Sequence, residues 1–148
     1  MALTAMWTHG NAVVPETPEL LDRFTRLGFG TQVTLRRGTN QWFHVPMPSP
    51  VLLGGVRPKL RRIFILGNSD VSSCIRRVHI FDGSTRVRDV PKLICGNKLA
   101  IGPDNTIEFG YSGQPGLPIY YGLGITMFIE SATFSASYFF AAFGADWE

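Results

Sequence analysis

Three histidines, two cysteines and a heavy aromatic load are the residues of this 148-residue chain whose types could do chemistry. His44 stands in Trp42-Phe43-His44, just ahead of prolines at 46, 48 and 50. An imidazole in an aromatic surround is held neutral and so available as a general base, and the proline-stiffened stretch behind it is too rigid to collapse onto it. His79 and Asp82 make a poorer pair. Three apart on a strand, they face opposite sides unless a bulge intervenes, and Asp82 reads better as the Asp of an Asp-Gly turn. His9, His44 and His79 fall on different expected strands with no His-x-His or HExxH spacing, so neither a metal nor a cofactor is expected.

Cys74 and Cys95 lack CxxC spacing, and neither opens a helix that would stabilise a thiolate. They read as free thiols acting as small hydrophobes rather than as nucleophiles or a disulfide. Gly28-Phe29-Gly30 follows an expected helix instead of opening one, the reverse of a dinucleotide loop. Glu108 and Glu130 are the carboxylates in strand-like segments, and nothing ties them together. Aromatic side chains remain. Trp42, Phe43, Phe64, Tyr121 and Tyr138 are candidate ligand contacts, with Tyr120 joining His44 and His79 as a candidate catalytic or polar contact.

The elements that must position these residues are mostly strands. Thr31, Val33 and Leu35 alternate with Gln32, Thr34 and Arg36, the mark of a half-buried strand. The proline-spaced segment after Trp42-Phe43-His44 cannot feed a central ladder and belongs at a sheet edge or across its mouth. Ile63-Phe64-Ile65-Leu66 is a short apolar run inside 59–68 and predicts a strand covered on both faces. Residues 74–82 and 86–90 read as a hairpin about Asp82-Gly83, with shorter strands over 5–14, 51–56, 92–95 and 105–111. Tyr121, Leu123, Ile125, Met127 and Ile129 share one face of a later strand. Gly122 and Gly124 lie on the other, where they permit close approach by a backbone or a ligand. Ala132, Phe134, Ala136, Tyr138 and Phe140 alternate small with large, as a tapering interior demands.

The single expected helix runs from an N-cap at Thr17, with Pro18 in the first position, through Leu20, Leu21, Phe24 and Leu27 to a stop at Gly28. Strands at this spacing predict one domain over 1–148, an antiparallel β-sandwich or jelly roll with a short N-terminal helix, and a flattened β-barrel as the alternative.

The segments Trp7-Thr8-His9-Gly10-Asn11, Gly28-Phe29-Gly30-Thr31, Trp42 to Pro50, Val78-His79-Ile80-Phe81-Asp82-Gly83, Gly122-Leu123-Gly124-Ile125 and Gly144-Ala145-Asp146 together resemble an uncharacterised family of small bacterial and fungal β-proteins. The proline-spaced segment is the most specific part, and the chain departs from the pattern at Phe29 and Trp147. The resemblance implies the fold and brings no activity with it.

Composition narrows the function classes. Hydrophobic residues make up 45% of the chain and the formal charge is +3, values of a globular protein rather than a disordered one. No acid lies between Arg23 and Ser69, but adjacent Arg61 and Arg62 point to opposite faces of a strand, and no recognition motif accompanies them, so nucleic acid is not an expected partner. Residues 1–11 carry no charged-then-apolar leader, and 118–129 is too short to span a bilayer. A cytoplasmic protein without a membrane partner is the expectation. The leading function is binding of a small, largely apolar molecule in an aromatic-lined pocket, with cofactor-free conversion of cyclase or isomerase type as its extension. The alternatives are a non-catalytic binding module for carbohydrate or another surface ligand, and a structural subunit that self-associates, as a homodimer, through its β edges.

Overall fold

Alternation along each strand decides which side chains enter the interior, and in the computed structural model, which describes residues 3–110 and 116–148, two sheets share that interior. The strands are β1 (Thr4–His9), β2 (Val14–Pro15), β3 (Leu21–Leu27), β4 (Gly30–Leu35), β5 (Asn40–Pro46), β6 (Lys59–Ser69), β7 (Ile75–Asp82), β8 (Thr85–Val90), β9 (Asn97–Lys98), β10 (Thr106–Glu108), β11 (Leu117–Pro118), β12 (Leu123–Glu130) and β13 (Ser137–Trp147). One sheet has the order β10-β6-β13-β4-β3, and the other β2-β5-β12-β7-β8. The eight principal strands therefore sit as β4-β13-β6-β10 against β5-β12-β7-β8, with successive strands passing between layers except at the β7–β8 hairpin. That is the order of a double-sheet jelly roll. All pairings are antiparallel, and the two sheets stay open rather than closing into the alternative barrel.

The interior is filled by the faces the alternation assigns to it. Val33 and Leu35 from β4, Phe43 and Val45 from β5, Ile63 and Ile65 from β6, Val78 and Ile80 from β7, Ile125 and Met127 from β12, and Tyr138, Phe140 and Phe143 from β13 all lie in one buried cluster. Phe140 packs against Phe43, Tyr138 and Phe143 with ring centroids 5.2, 4.9 and 6.0 Å apart. The run Ile63 to Leu66 is buried at every position, as a strand covered on both faces must be. Close approach by the chain sets Gly10, where a Cβ would drive into the Phe140 carbonyl. There the connection after β1 presses onto β13, where β13 exchanges its neighbour β4 for β1.

Three expectations are corrected. The helix after Thr17 is a single 3-10 turn, Pro18–Leu20, and the chain then enters β3. Thr17 makes no side-chain cap; its backbone N–H donates to Gln41 Oε1 and its carbonyl accepts from Gln41 Nε2, both at 2.6 Å. A register shift between Leu21 and Arg23 explains the helical spacing. The extra residue of this bulge puts Leu21 and Phe24 on one face, opposite Leu35 and Val33, so an i, i+3 pattern arises on a strand. Second, 92–95 and 51–56 are not strands. Each is reduced to one bridge, Ile75 with Ile94 and Leu53 with Val56, the latter closing a turn over Gly54 and Gly55. Pro91 removes a ladder donor beside the first, and positive φ at Gly96 ends it. The strand expected over 105–111 is confined to β10, and Tyr111 lies outside the described residues.

Third, Cys74 and Cys95 are joined in a disulfide, with Cα atoms 4.4 Å apart. The Ile75–Ile94 bridge, whose two N–H···O bonds are each 2.9 Å, brings the neighbouring cysteines into line. No sequence signal marks that contact, because it joins the start of β7 to a loop beyond the β7–β8 hairpin. For a closed loop of 21 residues, cross-linking stabilises the fold by about 3 kcal/mol. Reduction, or Cys74→Ala with Cys95→Ala, is expected to lower the melting temperature by roughly 10 °C. Thermal unfolding with and without reductant checks this. Coincident melts, with two thiols titrating in the unreduced protein, would contradict it.

Candidate functional site

The outward face of the β2-β5-β12-β7-β8 sheet is organised by its register. Thr126 of β12 sits opposite His44 of β5 on one side and His79 of β7 on the other, Val14 of β2 flanks His44, and Asp89 of β8 flanks His79. One cross-strand row thus carries two imidazoles, a hydroxyl and a carboxylate. The rows beside it differ in bulk. On one side Phe128 lies between Trp42 and Arg77; on the other, Gly124 lies between Pro46 and Phe81.

His44 is held at both ring nitrogens. Nε2 lies 3.1 Å from Glu16 Oε1 and Nδ1 lies 2.9 Å from Thr126 Oγ1. With Nε2–H donating to the carboxylate, Nδ1 accepts the Thr126 proton, an assignment that follows from the network. Glu16 is delivered by the two-residue strand β2, and its N–H donates to the Trp42 carbonyl at 2.9 Å. The His44 and Glu16 side chains remain half exposed, so the chain of groups opens to solvent.

His79 takes a different partner from the one three residues along. Asp82 points away from it, and its carboxylate accepts the N–H groups of Tyr120, at 3.1 Å, and Tyr121, at 2.7 Å. His79 Nε2 instead lies 3.2 Å from Asp89 Oδ1, which also takes Arg77 Nη1 at 2.6 Å. A register shift between Ile80 and Phe81 sets Asp89 opposite His79; an unbroken hairpin would have placed Arg88 there. Trp42 packs over His79 and Phe128, with centroids at 4.5 and 4.8 Å. Burial pushes the His79 pKa below its ordinary value, outweighing the lift from Asp89, and Arg86 and Arg77 add to the depression.

A cleft of about 620 Å3 opens beside this row. Its floor is the backbone at Gly122 and Gly124, and Glu16, His44, Pro46, Phe81 and Thr126 stand around it. A Cβ at Gly122 would meet open space, and one at Gly124 only the Phe81 Cβ at 3.6 Å. Gly122 has a φ of +137°, where a side chain would strain the backbone, and Gly124 leaves the floor of the cleft bare of a side chain.

The sequence candidates are dispersed rather than gathered. His44 lines the cleft, and Trp42 and His79 lie on the same sheet face beside it. Tyr120 and Tyr121 stand exposed in the approach to β12, Tyr120 under the Arg57 guanidinium at 5.0 Å. Phe43 and Tyr138 are fully buried in the core between the sheets. Burial raises the Tyr138 phenol's pKa, and among the described residues its hydroxyl has no hydrogen-bond partner. Phe64 faces outward from the opposite sheet, beneath Trp7. His9 accepts a hydrogen bond from the Asn11 N–H at 3.0 Å, also on that sheet. The disulfide removes Cys74 and Cys95 as nucleophiles. Sequence reasoning missed Glu16 and Asp89, whose pairings depend on a short edge strand and on a bulge.

Because the folded His79 binds its proton less readily than the unfolded one, the unfolded state holds more protons below about pH 6.5. This contribution is fully present above the unfolded value and is lost as pH falls through the folded one. His79→Gln is expected to flatten the stability change between pH 7.5 and 5.5, measured by denaturant unfolding. An unchanged slope would contradict the placement of His79 beneath Trp42.

Comparison with characterised proteins finds no match, and none is found among solved structures. Among the described residues no helix is long and apolar enough to cross a membrane. A family model matches residues 1–112, from β1 through β10, and the chain belongs to a family of unknown function, DUF6623.

Proposed function

We propose that this protein binds a small, largely apolar molecule in the cleft over Gly122 and Gly124 and orients it through His44. One observation carries the reading: a sheet face whose floor is bare of side chains, bordered by Phe81 and Pro46, with a carboxylate-supported imidazole at its side. Cleft volume and lining suit a ligand of modest size, held by apolar contact and fixed by one or two polar groups. The aromatic-lined pocket expected from the sequence is replaced in this reading by an open site on one sheet's outer face, since Phe43 and Tyr138 are packed into the core.

Conversion of the ligand is a second reading, favoured by the chain Glu16–His44–Thr126. A ligand that takes the place of Thr126 at Nδ1 meets an imidazole whose far nitrogen is held by a carboxylate. A cofactor-free isomerase or cyclase moves a proton with such a group. The Cys74–Cys95 disulfide supports residence in an oxidising compartment over the cytoplasm.

Gly124→Leu tests the site without disturbing the core, because its side chain would project into the cleft past Phe81. With Nile red as an apolar probe, the variant is expected to lose binding by about tenfold or more and His44→Ala to weaken it less, with the β-type circular dichroism retained in both. Equal Nile red binding by Gly124→Leu and wild type would sink the proposal. Mass spectrometry of a ligand recovered after incubation separates the two readings: an unchanged mass and chromatographic retention support binding alone, and an isomer supports conversion.

A further inference from the structure

The outward face of the other sheet carries two adjacent rows of opposite character. In the first, Trp7 of β1, Gly144 of β13, Phe64 of β6 and Thr106 of β10 stand in register; in the second, Ala5, Asp146, Arg62 and Glu108. Together they floor a second cleft of about 620 Å3, walled by Ile101 and Pro103.

The aromatic row is a platform. A Cβ at Gly144 would lie 2.7 Å from three atoms of the Trp7 indole, so the ring rests directly on the β13 backbone. It stacks on Phe64, with centroids 5.6 Å apart and planes within 7°. Phe64 is 6% exposed and Trp7 40%, which makes Trp7 the member that meets solvent. An exposed indole costs apolar hydration, and Gly144 spends its side chain to let it lie flat.

The charged row is one step away. Arg62 Nε donates to Asp146 Oδ2 at 2.6 Å, and Asp146 is buried. Among the described residues the Glu108 carboxylate, on an exposed edge strand whose backbone pairs with β6, has no hydrogen-bond or ion-pair partner. The row therefore sets two carboxylates against one guanidinium.

We propose that this cleft is a binding site for a neutral saccharide, separate from the site that contains His44. A pyranose has a face of C–H groups, which suits the electron-rich face of an indole. Its edge of hydroxyls donates to carboxylates and accepts from a guanidinium in charge-assisted hydrogen bonds. Platform and polar row stand on neighbouring rungs, as a ring with an apolar face and a polar rim requires. A nucleobase would stack on the same indole, but its phosphates would meet the surplus carboxylate, so the charge balance selects the neutral ligand.

The test is calorimetric titration of the intact protein with methyl glucoside, galactoside, mannoside and N-acetylglucosaminide and their tetrasaccharides, with adenosine monophosphate as the anionic comparison. At least one saccharide is expected to bind. Trp7→Ala should weaken it by about tenfold or more, Trp7→Phe should retain part of the affinity, and Glu108→Gln should weaken it severalfold. Glu108 is exposed, so its variant carries the test even where loss of the indole disturbs β1. Gly124→Leu should leave saccharide binding unchanged, which keeps this result independent of the other cleft. No binding across the panel, saccharide affinity indifferent to both Trp7→Ala and Glu108→Gln, or tighter binding of adenosine monophosphate than of every saccharide would overturn it.

Discussion

Everything in this fold depends on the shared core between the sheets being packed with the chain's own side chains. Phe43, Tyr138, Phe140 and Phe143 meet there with their neighbours from both layers. Interiors packed this way leave little space that a ligand could enter without displacing a side chain. A ligand site of the kind proposed therefore belongs on an outward face, and the two-residue period of a strand determines which residues reach it. His44 and Phe43 show the consequence: adjacent in sequence, one borders an open cleft and the other is fully buried.

The two outward faces use glycine to different ends. At the start of β12, Gly124 and the preceding Gly122 leave an empty floor, and the neighbouring side chains stand around it. On β13, Gly144 is covered by the Trp7 ring, so the same lack of a side chain produces a raised aromatic surface. In each case the polar groups lie one rung away, set by register: Thr126 with His44 on one face, Asp146 with Arg62 on the other. The arrangement of both faces is thus a property of strand pairing, and a one-residue slip would turn each of them inside out.

What the sequence made legible was whatever period alone decides. The faces of β4 and β12, the doubly covered run at Ile63 to Leu66 and the Asp82-Gly83 hairpin follow directly from alternation and turn chemistry. Register was another matter. The bulge between Leu21 and Arg23 gave a strand the spacing of a helix, and the shift beyond Ile80 moved Asp89 opposite His79. Glu16 reaches His44 through a pairing of two residues, Val14 and Pro15, too short to leave a periodic trace. The disulfide depends on a loop folding back to the start of β7, a long-range contact with no local cause. His44 was legible as a candidate because the proline-spaced segment behind it begins at Pro46, which borders the same cleft; its carboxylate partner was not.

The most direct measurement of the central claim, that ligands are held on the glycine-floored outer face rather than between the sheets, is a crystallographic soak with a library of small apolar fragments. The account predicts fragments lying over Gly122 and Gly124, against Phe81 and Pro46, with a polar atom within hydrogen-bond distance of the His44 imidazole. Fragments entering the core beside Phe43 and Tyr138, with the glycine floor left bare, would contradict it.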